Sequence, residues 1–217
     1  PILFAYAKMN VNTPVIQETN KKPLHEIREG ISEARKNPII FGNLLAAGIV
    51  SRLILNMGTY GPLFADRVLH KGLDGFGSIL FAAGAGSMAS GILSATSSTH
   101  YSQRFIFTAA GLCGLLLMAV SYIFWTIPAL FMFALLGFAT ILFMVNCNTA
   151  IQMASPPEYL GRIMGLYTFV FLGSAPFGSL LVSAIIEYMG TSLGLAIVGL
   201  FEIILILLTA KTYSKQK

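Results

Sequence analysis

Pro128-Ala-Leu-Phe-Met-Phe-Ala-Leu-Leu-Gly137-Phe-Ala-Thr140-Ile-Leu-Phe-Met-Val-Asn146-Cys-Asn148-Thr-Ala150 runs without one charged residue. A helix rising about 1.5 Å per residue needs about 20 such residues to cross a hydrocarbon core roughly 30 Å thick. The stretch therefore predicts a transmembrane helix, the form that bonds its own peptide groups where no water reaches them. Five more stretches reach this length, at 38–64, 75–96, 105–125, 163–186 and 190–210. The breakers expected at helix ends fall between them: Gly72, Pro128 after Thr126, Pro156-Pro157 and Gly190-Thr191. The fold class read from this pattern is all-α, a polytopic membrane bundle of six transmembrane helices spanning 38–210.

Composition agrees. The chain is 55% hydrophobic and 11% charged, against roughly 45–50% apolar and 25% charged in soluble domains. A net charge of +5 points to nucleic acid only if the cations share a soluble face, and here they follow topology instead. With alternating spans, Lys8, Lys21, Lys22, Arg28, Arg35, Lys36, Arg104, Arg162, Lys211, Lys215 and Lys217 fall on one side and only Arg67 and Lys71 on the other. Basic loops mark the cytoplasmic side, so the C-terminal tail 211–217 is predicted cytoplasmic and no nucleic-acid partner is expected.

Residues 1–9 open on an apolar Pro1-Ile-Leu-Phe with no initiator Met, which reads as the tail of a preceding transmembrane helix in a fragment. Residues 10–37 read as a cytoplasmic linker. In it Leu24, Ile27, Ile31 and Ala34 recur at helical spacing, as in an amphipathic helix on the membrane surface or a solvated linker with a frayed helix. Cys113 and Cys147 lie in apolar runs and read as small hydrophobes. No metal, cofactor or catalytic constellation is read: His25, His70 and His100 flank the spans, and there is no paired intramembrane carboxylate, H-E-x-x-H or phosphate loop.

Polar groups inside spans are the informative ones. Arg52 sits near the middle of the first span, and Asn56, Thr59 and Tyr60 follow at i+4, i+7 and i+8, so a continuous helix would set a cation, an amide, a hydroxyl and a phenol on one face. That face either lines a passage or holds Arg52 against a carboxylate of the bundle. Asn146, Asn148 and Gln152 cluster toward the end of the fourth span, to bind substrate or bond neighbouring helices. Glu202, the acidic residue well within a span, is either a proton carrier or a buried partner for a basic group. In the second span Ala83, Ser87, Gly91 and Ala95 form one row of small residues and Ala82, Gly86, Ser90 and Ser94 the next, which predicts close helix packing.

Three stretches carry a family resemblance: Leu24-His-Glu-Ile-Arg-Glu-Gly30-Ile-Ser-Glu-Ala-Arg-Lys-Asn37-Pro38, Tyr60-Gly-Pro62-Leu-Phe-Ala65, and Asn148-Thr149 through Pro157-Glu158-Tyr-Leu-Gly161-Arg162-Ile-Met-Gly165-Leu-Tyr167, followed by Gly173-Ser-Ala-Pro176-Phe-Gly178-Ser. Over nearly its whole length the chain resembles the second half of a major facilitator superfamily transporter, particularly the multidrug, macrolide and siderophore exporter branch of bacteria. The pattern departs at Leu160, where the family commonly has a basic residue, leaving Arg162 alone. The resemblance implies helices seven to twelve of twelve, two inverted three-helix repeats, and substrate held near the midplane between this half and a missing N-terminal half. It favours Arg52, Asn56, Tyr60, Asn146 and Asn148 as pathway residues, gives Gly173, Pro176 and Gly178 a role in bending or packing, and disfavours Glu202 because the last helix of each half usually sits at the periphery. The implied function is proton-coupled efflux of a small amphipathic drug-like or siderophore-like compound across a bacterial cell membrane. The competing expectation is a non-transporting membrane scaffold or sensor.

Overall fold

The computed structural model describes residues 23–96 and 102–215, so the expected helix tail at 1–9 lies outside the described residues. Among the described residues the chain is 88% helical with no strand, an all-α bundle. Among the described residues nine helices form in order: α1 (Pro23–Lys36), α2 (Pro38–Leu53), α3 (Met57–Arg67), α4 (Gly72–Thr96), α5 (Gln103–Val120), α6 (Thr126–Ala154), α7 (Leu160–Gly173), α8 (Ala175–Met189) and α9 (Thr191–Lys215). Two spans are built from two helices each, Pro38–Arg67 from α2 and α3 and Leu160–Met189 from α7 and α8, giving six candidate membrane spans.

The helices run past several of the expected ends, α6 to Ala154 and α9 to Lys215, and one stops short. The third span ends at Val120 rather than 125, where Ser121 turns its hydroxyl back to the Met118 carbonyl at 2.6 Å. Gly190, at φ +80°, ends α8 in a conformation that L side chains rarely adopt, and α9 starts immediately after it. At the start of α2, Asn37 caps the helix by accepting from the Ile39 N–H at 3.0 Å, and Pro38 follows at a position that needs no donor.

Short connections make consecutive spans antiparallel, and contacts at one end tie them together. Asn37 donates to the Ala154 carbonyl at 3.2 Å, Asn43 and Gln103 exchange amide hydrogen bonds at 2.9 Å, and Phe107 meets Tyr213 edge-on at 5.8 Å. The outside of the bundle is apolar: Ile127 is 82% exposed and Phe81 80%, which water would penalise and lipid does not.

Close backbone approach holds the interior together. A Cβ on Gly86 of α4 would lie 1.8 Å from the Ala134 carbonyl oxygen of α6, and one on Gly137 of α6 would lie 2.2 Å from that of Ala83. The expected small-residue packing is present along a different line. The buried positions of α4 are Gly75, Ile79, Ala83, Gly86 and Ser90, which take members of both rows, because a helix of 3.6 residues per turn drifts off a strict four-residue spacing. Ser87 borders the seam and donates to the Gly137 carbonyl at 3.3 Å, whereas Gly91 faces open space.

The linker helix α1 docks rather than floats. Glu29 pairs with Arg162 at 2.9 Å, and Gly30 packs on Arg162 near the start of α7. Ala34 is buried while Ile31 is exposed, so the docking face runs through Gly30 and Ala34.

Candidate functional site

The first span breaks at Ile54–Asn56, between α2 and α3, and two side chains of this span bind the carbonyls there. Asn56 donates from Nδ2 to the Arg52 carbonyl at 2.7 Å, in place of the main-chain N–H four residues on, with a longer contact to the Ser51 carbonyl at 3.4 Å. Tyr60, 1% exposed, donates its hydroxyl to the Ile54 carbonyl at 3.0 Å. An Asn at this place gives the backbone an alternative to the helical bond, and membrane interiors tolerate a break only where the freed groups find partners.

The fifth span breaks at Ser174, and this break packs on the first. Ser51 donates to the Phe171 carbonyl, and Ser174 donates to Ser51 at 3.3 Å. Gly178 lies so close that a Cβ there would sit 2.1 Å from the Arg52 carbonyl oxygen and 2.7 Å from Asn56 Nδ2. Pro176, in the first turn of α8, needs no main-chain donor there, and both it and Gly173 are exposed. Of the three residues read as bending or packing elements, Gly178 makes the close contact and the other two border the break.

The continuous polar stripe expected from Arg52 to Tyr60 is corrected by this geometry. Its spacing assumed one helix, and the break rotates its members apart. Asn56 and Tyr60 are buried and occupied with backbone carbonyls, Thr59 is partly buried, and Arg52 is exposed. Arg52 borders a groove of about 280 Å³ between α1, α2 and α7, beside Leu45, Gly48, Ile49 and Val170. Among the described residues no carboxylate forms a salt bridge with it.

Asn146 and Asn148 are partly buried and lie on α6, where Asn146 donates to the Leu142 carbonyl at 2.7 Å and Asn148 accepts from Gln152 and interacts with the Tyr167 phenol of α7. They are apart from the paired breaks. The resemblance put Glu202 at the periphery. Its helix does expose Phe201 and Ile204, but Glu202 itself is 0% exposed and neither of its oxygens has a hydrogen-bond partner among the described residues.

Sequence reasoning passed over Ser51, Ser174, Asn43 and Gln103. The signal was present for Ser51, a hydroxyl next to the intramembrane cation, but its partner lies 123 residues away. Replacing Asn56 by leucine is expected to leave the Arg52 carbonyl without its donor and to lower stability by about 1–3 kcal/mol. Asn146→Leu, which removes one bond within its own helix, should cost about 0.6 kcal/mol or less. Denaturation of the purified protein in detergent measures both, and equal effects would remove Asn56 from its capping role.

Six apolar spans, two of them broken and joined at mid-depth, define a polytopic membrane protein with a jointed interior. The family model described as Major Facilitator Superfamily matches residues 2–179, and the chain belongs to that superfamily of membrane transporters. No curated protein and no solved structure matches it.

Proposed function

We propose that the chain is the C-terminal six-helix half of a proton-coupled exporter, moving a small amphipathic drug-like or siderophore-like compound by alternating access against an N-terminal half. The observation that carries this is the joined pair of breaks. Each lies near the middle of a span, at Ile54–Asn56 of Pro38–Arg67 and at Ser174 of Leu160–Met189. In secondary transporters, discontinuous helices near the midplane are where irregular backbone meets a passage, and rocking of one repeat or bundle against another moves the access. Arg52, charged, exposed and beside this joint, supplies the electrostatic bias for an anionic ligand group or a nearby proton site.

In the same reading, α1 and the C-terminus face the cytoplasm of a bacterial cell, on the eleven-to-two asymmetry of basic residues outside the membrane interior. Asn146 and Asn148 stand as pathway residues beside Tyr167.

Inverted membrane vesicles carrying the intact protein test the function. On energisation they are expected to accumulate ethidium or a related fluorescent amphipathic dye against its gradient, and to release it when a protonophore collapses the pH difference. Accumulation that survives the protonophore would overturn proton coupling. No accumulation across a panel of dyes and siderophore-like chelators would favour the scaffold or sensor.

A further inference from the structure

α5 and α9 run antiparallel, and both turn from apolar to polar at the same end. The cap and first residues of α5 read Ser102-Gln-Arg104, and the last turns of α9 read Ala210-Lys211-Thr-Tyr213. Deeper in the membrane the two backbones touch, where a Cβ on Gly114 would lie 2.7 Å from the Gly199 carbonyl oxygen. From that contact to the polar end the helices part around a cleft of about 840 Å³. Leu112 and Leu115 of α5 and Leu207 of α9 line it and are exposed, so it opens on the outside of the bundle, where the surroundings are hydrocarbon. From Arg104 to Leu115 it follows α5 for about 16 Å, half of the roughly 30 Å hydrocarbon core and so one leaflet deep.

The chemistry of the lining changes along that length. The deep part is apolar, and Gly111 leaves its floor open, since a Cβ there meets nothing within 4 Å. The end of the cleft holds Arg104, which is exposed and forms no salt bridge among the described residues. Lys211, exposed beside the lining residue Ala210, adds a second positive charge at this end. Ser102 accepts from the Phe105 N–H at 3.4 Å, which leaves its own O–H to donate. Tyr213, met edge-on by Phe107 at 5.8 Å, brings a phenol to the same place. The first amides of α5 add the positive end of a helix dipole. Among the described residues no carboxylate lines the cleft, so nothing there meets an ammonium group.

We propose that this cleft binds one anionic phospholipid of the leaflet at the Arg104 end, its phosphate on Arg104, Ser102 and Tyr213 and one acyl chain running past Gly111 to the Gly114–Gly199 contact. Basic pockets between transmembrane helices recognise anionic headgroups in this way. The chain fills the wedge between α5 and α9 and braces the two helices where they part. The site is independent of any transport by the protein.

Native mass spectrometry of the intact protein, released from nanodiscs of equal phosphatidylglycerol and phosphatidylcholine, tests this. One phosphatidylglycerol is expected to stay bound in preference to phosphatidylcholine. Arg104→Gln should lower its retention about fivefold, the share of one basic residue at an anionic headgroup. Gly111→Leu, whose Cβ meets nothing and whose side chain fills the cleft, should abolish retention. Arg67→Gln, at the opposite membrane end of the first span, is the control for general charge attraction and should retain lipid like the native protein. Equal retention of the two lipids, unchanged retention in Gly111→Leu, or equal loss in Arg67→Gln and Arg104→Gln overturns the proposal. So does a dimer that Gly111→Leu dissociates, because a second copy of the chain would then occupy the cleft.

Discussion

Gly86→Ala is expected to unseat α4 from α6 and lower stability by about 1–3 kcal/mol or more, the range of overpacked interiors. The added Cβ would lie 1.8 Å from the Ala134 carbonyl oxygen and 2.7 Å from its carbon. Both are backbone atoms of a continuous helix, so no side-chain rotation relieves the contact and the helices themselves must separate. Separation also strips the reciprocal approach of Gly137 to Ala83 and the Ser87 bond to the Gly137 carbonyl. In lipid, where apolar expulsion does not push helices together, that loss of close packing removes what holds the pair. Gly91→Ala, on the same helix and facing open space, is the matched control and should leave stability unchanged or slightly raised. Unfolding of the two purified variants in detergent decides the matter, and equal stability would mean that the α4–α6 seam is not where the bundle is tight.

Arg52→Leu is expected to leave insertion and folding intact and to reduce dye accumulation in energised vesicles by roughly 10- to 100-fold, the range of typical coupling energies. Leucine enters a span more readily than arginine by at least about 2.5–3.5 kcal/mol, so poor expression would not explain the loss. Arg52 is exposed beside the joint and forms no salt bridge among the described residues. Its charge is therefore available to a ligand or to a second half of the bundle rather than spent on internal packing. Arg52→Lys keeps a point charge without the planar fork and should fall between native and leucine. Unchanged efflux in the leucine variant would remove Arg52 from the mechanism.

The spans were legible because bilayer thickness imposes a length on them, and stretches such as 128–150 meet it without a charge. The breaks were not. Hydropathy treats Ile54, Leu55 and Met57 as further apolar residues of one helix, whereas Asn56 competes for the backbone, an effect of one side chain that an average over the span does not register. The small residues of α4 announced close packing, but which of two rows faces a partner depends on where α6 lies. Glu202 shows the reverse lesson. Its residue type drew notice, its place in the last span argued against it, and the rotation of α9 that turns it inward is set by Gly114 and Gly199 on different helices.

The interlocked breaks at Ile54–Asn56 and Ser174 have a mechanical consequence. A continuous helix transmits torque along its whole length, as α6 does over 29 residues. A helix interrupted by side-chain-held carbonyls does not, and because Ser174 bonds Ser51 and Gly178 packs on the Arg52 carbonyl, a twist that reaches the interruption in one broken span is shared there with the other.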